Sequence, residues 1–281
     1  MVGITNKTMI AEIRRQQKLS QEIIDGQTSI SSGKTLNRAS DNALAWVQLS
    51  EVGKGQAQQA AWQSNVSTGN ARGSTAEAAL SEINNLLTRA QELMTLARNG
   101  VGSDTSLEAI GEEMKTIRAA VGGLIEQRDY QGVSVFDEGQ SVLVPVGRGL
   151  NVAVVATREQ VSSGIDVDGT PMTLDAIFEQ SIAALASGND DALAASVSAV
   201  QAGQEHIAIE QTRQGVRLGR LEDIGTRLTD VDLDLNDRRT ELESSDMTEV
   251  IASVKAKLIQ LEAAQTAFAR INQQTLFDLI R

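Results

Sequence analysis

The sequence predicts a mainly α-helical protein, an elongated antiparallel bundle of long helices with a small β-hairpin region near residues 130–172. Three observations indicate this fold class. Apolar residues recur at helical spacing over long stretches of the chain. Only two prolines interrupt 281 residues, and both fall in the β region. Aromatic residues make up 2% of the chain, which favours the thin core of a bundle over a compact globular core.

Residues 1–34 are predicted to form a helix that is weak on its own. Its apolar positions lie close to a seven-residue spacing, but Gln16, Ser20 and Gln27 occupy positions between them. Gly33 is expected to end the helix in a left-handed conformation. Because most helix stability comes from packing an apolar stripe, this helix needs a partner. Its apolar positions are Met9, Ile13, Ile23 and Ile30.

A connector, residues 35–41, leads into the second helix, which Ser40 or Asp41 can cap. The middle of this helix, residues 53–73, is rich in Gln, Ala, Ser and Gly, and the apolar period becomes strong again over residues 80–97. We assign two residues of that last stretch to the core of a helical rod, namely Leu87 and Met94.

A turn and a third helix follow. Asn99 and Gly100 indicate the turn, and residues 107–124 keep a three-four alternation of apolar side chains. Because the connector between them is short, residues 80–97 and 107–124 are predicted to form an antiparallel helical hairpin.

Residues 130–172 form the predicted β region. Apolar, β-branched runs within residues 142–155 flank Gly147-Arg148-Gly149, which predicts a β-hairpin with a glycine-containing turn. Residues 133–136 have the composition of a strand, and residues 165–169 that of a further short strand and turn.

Helix is predicted again from residue 173. After a break at residues 187–190, a second very long helix runs from Asp191 to about Leu242. Apolar residues at three-four spacing in its middle predict a buried stripe, which we assign to the rod core against residues 80–97. The stripe comprises Leu221, Ile224, Leu228, Val231 and Leu235.

The final stretch, Met247 to Arg281, carries the strongest apolar stripe of the chain. One row recurs every seven residues, and further apolar residues sit three or four places after its members, which is close to coiled-coil spacing. Alone in water, such a helix leaves its stripe exposed, so we expect a partner within the chain or in another copy. The row is Met247, Val254, Leu261 and Phe268, and the further residues are Val250, Ala264, Ile271, Ile251 and Leu258.

Composition and charge argue against nucleic-acid partners, membrane insertion, a secretory signal peptide and cysteine chemistry. The net charge of −12 argues against nucleic acid, since phosphate binding needs clustered Lys and Arg. We expect no membrane insertion, because no apolar run is long enough to span a bilayer. The N-terminus has no apolar run or cleavage site typical of a secretory signal peptide. The absence of cysteine excludes disulfides and thiol chemistry.

The sequence contains no recognisable catalytic or metal-binding arrangement. His206 is the only histidine and has no cysteine to join it. Residues 230–241 imitate the carboxylate spacing of a calcium loop, but Leu235 stands where that loop needs glycine, and the helical stripe continues through it. Gly147-Arg148-Gly149 lacks the third glycine of a dinucleotide motif. We therefore expect no enzymatic activity, no cofactor and no metal.

Three N-terminal segments resemble a known superfamily. Residues 30–42 (ISSGKTLNRASDN) are similar to the signature shared by flagellins and their hook-associated relatives. Residues 80–93 (LSEINNLLTRAQEL) with 97–100 (ARNG) look like the first long helix of that superfamily, and residues 130–133 (YQGV) match its turn into the β-hairpin. The resemblance covers both chain ends and most of the helical chain.

The C-terminal half resembles one group of that superfamily, the hook-associated protein 3 group. The similar segments are residues 174–189, 215–222 (GVRLGRLE), 245–251 (SDMTEVI) and 275–280 (TLFDLI). The family's usual Asp-Asp-Pro is here Asp41-Asn42-Ala43, and the final Arg281 is similar to the end of a flagellin. A filament-forming flagellin therefore stays open as an alternative, as does a non-flagellar coiled-coil binding module.

The resemblance implies a structural, secreted subunit at the hook–filament junction of the bacterial flagellum. It implies a ring layer of copies between hook-associated protein 1-like subunits and flagellin, with flagellar type III export and an export chaperone on the C-terminal helix. It further implies a coiled coil of terminal helices, a helical rod and an outward β insert. The corresponding boundaries are residues 1–40 and 246–281 for the terminal helices, 41–129 and 173–245 for the rod, and 130–172 for the insert.

Assembly through the terminal helices predicts a set of contact residues between subunits. The same residues could instead form a core within one chain, and both roles are compatible. The set comprises Met9, Ile13 and Ile23 near one end of the chain and Leu261, Phe268, Ile271 and Phe277 near the other.

Overall fold

The computed structural model describes residues 2–34, 36–99, 104–129, 131–244 and 247–278, with side chains from residue 9 to residue 270 apart from residues 104 and 105. Within these ranges the chain is mainly α-helical with two small antiparallel sheets, as predicted. The helices are α1 (Val2–Ser32), α2 (Ala43–Arg98), α3 (Asp104–Ile125), α4 (Arg158–Ser162), α5 (Leu174–Ser187), α6 (Asp190–Glu243) and α7 (Met247–Asp278). The strands are β1 (Leu143–Gly147), β2 (Leu150–Ala153), β3 (Ile165–Val167) and β4 (Thr170–Met172).

The chain divides into two compact units. Unit 1 comprises Met1–Ala57 and Leu233–Arg281, and unit 2 comprises Gln58–Asp232. Unit 1 therefore contains both terminal helices together with the start of α2 and the end of α6. Unit 2 contains the remaining helices and both sheets.

Helix ends follow the expected chemistry with one correction. Gly33 has φ 72° and its N–H donates to Ser29 O at 2.9 Å, so it caps α1 as predicted. At α2 the cap is Asn42, whose Oδ1 accepts from the Ala45 N–H at 3.1 Å. Neither Ser40 nor Asp41 caps this helix, because Asp41 turns back to accept from connector amides.

In unit 2, α2 and α6 run antiparallel at close range. A Cβ added at Gly69 would lie 3.4 Å from Leu221 Cδ1, and one added at Gly203 would lie 4.0 Å from Leu87 Cδ2. The stripe that begins at Leu221 therefore faces the glycine- and alanine-rich middle of α2. Its assignment against residues 80–97 is wrong, because the antiparallel register puts those residues opposite the earlier part of α6.

The residues predicted to form the rod core differ in how deeply their side chains are buried. Those in the middle of the stripe are buried, whereas Val231 is 45% exposed because it lies at the edge of the stripe. Leu235 is half-buried in unit 1, where its methyl groups would lie 3.5 Å from a Cβ at Gly55. The fully or nearly buried candidates are Leu87, Met94, Leu221, Ile224 and Leu228.

The β region contains two hairpins. β1 pairs with β2 across the predicted glycine turn, with an irregularity between Pro145 and Gly147, and β3 pairs with β4. Residues 133–136 do not form a strand of either sheet. Their backbone instead bonds to separate neighbours, for example from the Val135 N–H to Gln127 O at 2.9 Å, which turns Phe136 fully into the core. Sequence periodicity also missed the five-residue helix α4.

Candidate assembly surface

The terminal helices α1 and α7 pack against each other in unit 1, and we call them the terminal pair. They run antiparallel, since Glu22 faces Lys257 while Gly26 faces Val254. On each helix the shielded positions recur every three or four residues, as in a coiled coil. These positions include Gln16, Leu19, Ile23, Gly26 and Ile30 on α1, and Met247, Val250, Val254, Lys257, Leu261, Ala264 and Phe268 on α7.

A glycine sets the closest approach within the terminal pair. A Cβ at Gly26 would overlap the Cγ2 methyl of Val254, so the absence of a side chain there lets the two backbones come together. Ile23 of α1 and Val254 of α7 are both buried at this contact. The tightest part of the pair thus lies around Ile23, Gly26 and Val254.

Polar groups border this contact. Lys257 Nζ lies 3.1 Å from Glu22 Oε2, and Lys18 Nζ lies 3.9 Å from Glu22 Oε1. Because these side chains are partly or largely exposed, each ion pair contributes about 0–1 kcal/mol at most. Gln16 is different, since its Nε2 is buried without a hydrogen-bond partner among the described residues. An unpaired buried amide of this kind costs about 1–3 kcal/mol.

Both helices of the terminal pair carry large apolar side chains that are exposed in the described part of the chain. Ile259 is 67% exposed, which is unusual for so large an aliphatic side chain. Ile10 and Ile24 are fourteen residues apart on α1, and Ile251 and Leu258 are seven apart on α7, so each pair lies on one side of its helix. We call this set the outer row: Met9, Ile10, Ile13, Ile24, Ile251, Leu258 and Ile259.

The predicted contact residues fall into four groups. Met9 and Ile13 belong to the outer row and are exposed, whereas Ile23 is buried inside the terminal pair. Leu261 and Phe268 are half-buried on the face of α7 that meets α1. Ile271 and Phe277 lie outside the described side chains. The part that these residues play between subunits stays a prediction.

The prediction missed Ile10, Ile24 and Ile259. Ile10 and Ile24 are separated by two heptads, with Gln17 at the position between them. A search for a second stripe beside the main one would have found them. Ile259 follows the exposed Leu258 directly and has no such periodic signal.

The connector after α1 is a defined turn in unit 1. Asp41 Oδ2 accepts from the N–H groups of Asn37 and Arg38 at 3.0 and 2.7 Å, and Leu36 is buried beneath the turn. Asn37, Arg38 and Asp41 line a cavity of about 520 Å³ with residues of α1 and the first turns of α7. The segment that resembles the superfamily signature thus forms one wall of a cavity beside the terminal pair.

A polar cluster joins the ends of α1 and α6 in unit 1. Lys34 Nζ lies 2.5 Å from Glu243 Oε2, and Arg239 Nε donates to Glu243 Oε1 at 2.9 Å. The hydrogen bond from Lys34, followed by that from Arg239, lowers the pKa of the Glu243 carboxyl below its ordinary value. Arg239 also donates to Gln56 Oε1 at 3.2 Å, so the cluster reaches the start of α2.

In unit 2, hydrogen bonds from helix side chains hold the β region against the helices. Arg72 Nη2 donates to Asp137 Oδ1 at 2.7 Å and to Ser134 O at 3.0 Å, and the Asp137 side chain is fully buried. Buried Gln214 donates through Nε2 to Gly73 O and Val154 O. These residues are far apart in the sequence, so no local motif indicated them.

The residues considered for chemistry lie in ordinary helical settings. His206 Nε2 is 2.8 Å from Gln160 O on the surface of unit 2. Residues 230–241 are helical throughout, so the imitation of a calcium loop does not form a loop. Among the described residues, no group of His, Asp and Glu side chains is arranged to hold a metal ion.

The N-terminal half of the chain matches a known family. Residues 4–141 fit the model for the bacterial flagellin N-terminal helical region. Flagellin of Escherichia coli strain K12 is 30% identical over 153 residues, which are 53% of this chain and 29% of that flagellin. Flagellin 1 of Proteus mirabilis is 28% identical over 151 residues, which are 53% of this chain and 40% of that protein. The chain thus spans well under half the length of the curated flagellins that it matches.

Solved structures of flagellar hook-associated proteins have the same fold. A flagellar hook-associated protein of Vibrio parahaemolyticus has a TM-score of 0.65 at 16% identity, covering 73% of this chain and 100% of its own. Hook-associated protein 3 of Legionella pneumophila has a TM-score of 0.63 at 12% identity, covering 69% and 98%. At such identities the likeness shows the fold alone. In the part of the chain that the structure describes, no helix is long and apolar enough to cross a membrane.

Proposed function

Because residues 4–141 match the bacterial flagellin N-terminal helical region, we propose that the chain is a structural subunit of the bacterial flagellum that joins hook to filament. The outer row carries this proposal. An exposed apolar stripe on both terminal helices needs a cover, and a repeating assembly supplies it from neighbouring subunits. The shared fold with hook-associated proteins favours the junction over the filament.

The proposed mechanism is burial of the outer row in steps. The terminal pair first shields Ile23 and Val254 within one subunit. Packing between subunits then removes the outer row from water at about 25 cal/mol per Å² of apolar surface. Terminal helices that become ordered only on assembly would offset part of this gain with conformational entropy. No catalytic step enters this mechanism, so we propose a non-enzymatic role.

The proposed partners follow from the position at the junction. They are other copies in a ring layer, hook-associated protein 1-like subunits on one side and flagellin on the other. An export chaperone would cover α7 before assembly, since an outer row left exposed in the cell favours aggregation. Delivery would use flagellar type III export and leave the protein outside the cell. The domain boundaries given above, with terminal helices, rod and β insert, belong to the same proposal.

Filament-forming flagellin is the second candidate. It is favoured by the sequence relatives, which are flagellins at 28–30% identity. A junction subunit adds one layer and stops, whereas a flagellin polymerises without limit. Adding purified protein to filament seeds separates the two, because open-ended growth would contradict the junction role.

Localisation in the cell is the decisive experiment. The chain has no cysteine, so Arg148→Cys, in the exposed β1–β2 turn, offers a single thiol for a fluorescent maleimide. We expect one spot per flagellum at the boundary of hook and filament. Label along the whole filament would support the flagellin candidate, and label elsewhere on the cell would contradict both flagellar roles. Unlabelled filaments of the parent strain serve as the control.

A further inference from the structure

The exposed side of α6 in unit 2 carries large apolar residues among arginines. Ile209, Arg213, Val216 and Arg220 follow a three-four spacing, so they lie on one side of the helix, with Arg217 beside them. Val216 is 68% exposed, and Ile209 is also exposed. We call these five residues the basic face.

The arginines of the basic face are incompletely paired within the chain. Arg213 contacts buried Glu210, and Arg217 donates to Gln214 Oε1 at 3.3 Å. In the described ranges, neither Arg217 nor Arg220 forms an ion pair with a carboxylate. A protein of net charge −12 thus places three arginines, two of them outside any ion pair of the described residues, around two uncovered aliphatic side chains.

The end of α6, in unit 1, shows the opposite charge. Asp234, Asp237 and Glu241 lie on one side of the helix and form no ion pair within the described residues. Leu233 beside them is 58% exposed. We call these four residues the acidic face. Its three acids border a cavity of about 350 Å³, which Gln48, Arg238 and Leu242 also line.

We propose that the basic face of one copy docks on the acidic face of a second copy. Each face combines uncovered aliphatic surface with charged side chains of one sign, and the two signs are opposite. Contact would cover Val216 and Leu233 together and bring Arg217 and Arg220 to the carboxylates that border the cavity. Charge complementarity of this kind selects the partner and sets the register.

The two faces are different surfaces of the same chain, so the contact is heterologous. A pair of copies then leaves one basic and one acidic face free, and further copies can join. The inference deepens the proposed function, because it names the surfaces by which copies in a layer meet. It depends on the proposed function only because copies of the chain must associate with one another.

Cysteine pairing tests the contact directly, since the natural chain has no thiol. Purified full-length V216C and L233C are mixed at low salt with a mild oxidant, and V216C is mixed with L96C as the control. Leu96 is an exposed leucine of α2 outside both faces. We expect the bond between positions 216 and 233 to form about tenfold faster than the control bond, and 0.5 M salt to remove most of that advantage.

Charge reversal supplies the second arm. Adding R220E to V216C should slow the 216–233 bond, and adding D237R to L233C should restore its rate with R220E. The inference would be overturned if, at low salt, the 216–233 bond formed no faster than the control bond between positions 216 and 96. It would also be overturned if the faster formation of the 216–233 bond depended neither on salt nor on R220E. The localisation experiment is independent of this one. A junction signal without cross-linking rejects the contact alone, and cross-linking without a flagellar signal rejects the proposed function alone.

Discussion

Gly26 of α1 lies directly against the Cγ2 methyl of Val254 of α7, at the tightest point of the terminal pair. A β-branched side chain has few alternative rotamers, so Val254 cannot easily move aside for a new side chain. The spacing of the two terminal helices therefore depends on a residue that contributes no apolar surface.

Replacing this glycine should loosen the terminal pair. We expect Gly26→Ala to lower the stability of the α1–α7 contact by about 1–3 kcal/mol, the usual cost of overpacking. Hydrogen exchange of the backbone amides around Val254 measures the effect, and they should exchange faster in the variant. The matched control is Gly53→Ala, in α2, because no atom lies within 4 Å of its added Cβ. That change should stabilise its helix by about 0.5–1 kcal/mol. Equal protection in both variants would contradict the role of Gly26.

The unpaired amide of Gln16 suggests a stabilising change. Gln16→Leu removes a buried donor without a partner and adds apolar surface to the face that meets α7. We expect the terminal pair to gain about 1–2 kcal/mol. The gain is measured as slower amide exchange in α1 and α7. Gln17→Leu is the matched control, because Gln17 is exposed and its replacement should leave exchange unchanged. A gain of the same size at both positions would show that burial of Gln16 is not the cause.

Helical periodicity predicted most of the fold because it is a local signal. The stripe of α7 indicates a coiled-coil helix, and the glycine after α1 indicates a helix end, from the residue pattern alone. The resemblance of residues 30–42 to flagellins is confirmed by the family match over residues 4–141. These features depend on residues close together in the sequence.

Partner choice was not predictable in the same way. The stripe from Leu221 could face any apolar helix, and no apolar period marks the Gln-, Ala-, Ser- and Gly-rich middle of α2 as its partner. Its glycines make it a good one, since Gly69 leaves room for Leu221. Periodicity also could not tell which side of α6 is covered, so it wrongly assigned Val231 to the core. Residues 133–136 were misassigned because their composition suits a strand as well as a buried loop.

The buried ion pair of unit 2 gives a prediction about stability. Asp137 Oδ1 accepts from Arg72, while its Oδ2 accepts from the Val142 N–H at 2.7 Å just before β1. Arg72→Gln would leave a fully buried carboxylate without its charge partner, so we expect a loss of about 3–5 kcal/mol. Urea unfolding followed by circular dichroism measures the change.

Arg89→Gln is the control for that prediction. Arg89 also donates to a carboxylate, Glu113 Oε1 at 2.8 Å, but both side chains are largely exposed. Its loss should lower the free energy of unfolding much less than the loss of Arg72, because water screens an exposed ion pair. Similar losses for both variants would mean that burial of Asp137 does not strengthen its pair.

The cluster at Glu243 makes stability depend on pH. Its hydrogen bonds from Lys34 and Arg239 lower the pKa of this carboxyl below the ordinary value of 4.5 in the folded chain. A carboxyl with a lowered folded pKa stabilises the fold above its unfolded pKa and loses that contribution as pH falls through the folded pKa. We therefore expect the free energy of unfolding to decrease as the pH falls below the ordinary carboxyl pKa of 4.5. Glu243→Gln should reduce both the stability at neutral pH and the steepness of this decrease.

Glu138 offers the matched control for the pH dependence. Its pKa is also lowered, first by the hydrogen bond from Ser134 and then by Arg158 and Arg128, so the sign of its effect is the same. Its side chain is 51% exposed, however, against 11% for Glu243, and water weakens its ion pairs. Glu138→Gln should therefore reduce the loss of unfolding free energy on acidification less than Glu243→Gln does. The role of Glu243 would be contradicted by equal slopes in the natural chain and Glu243→Gln, because the loss on acidification would then arise from other carboxylates.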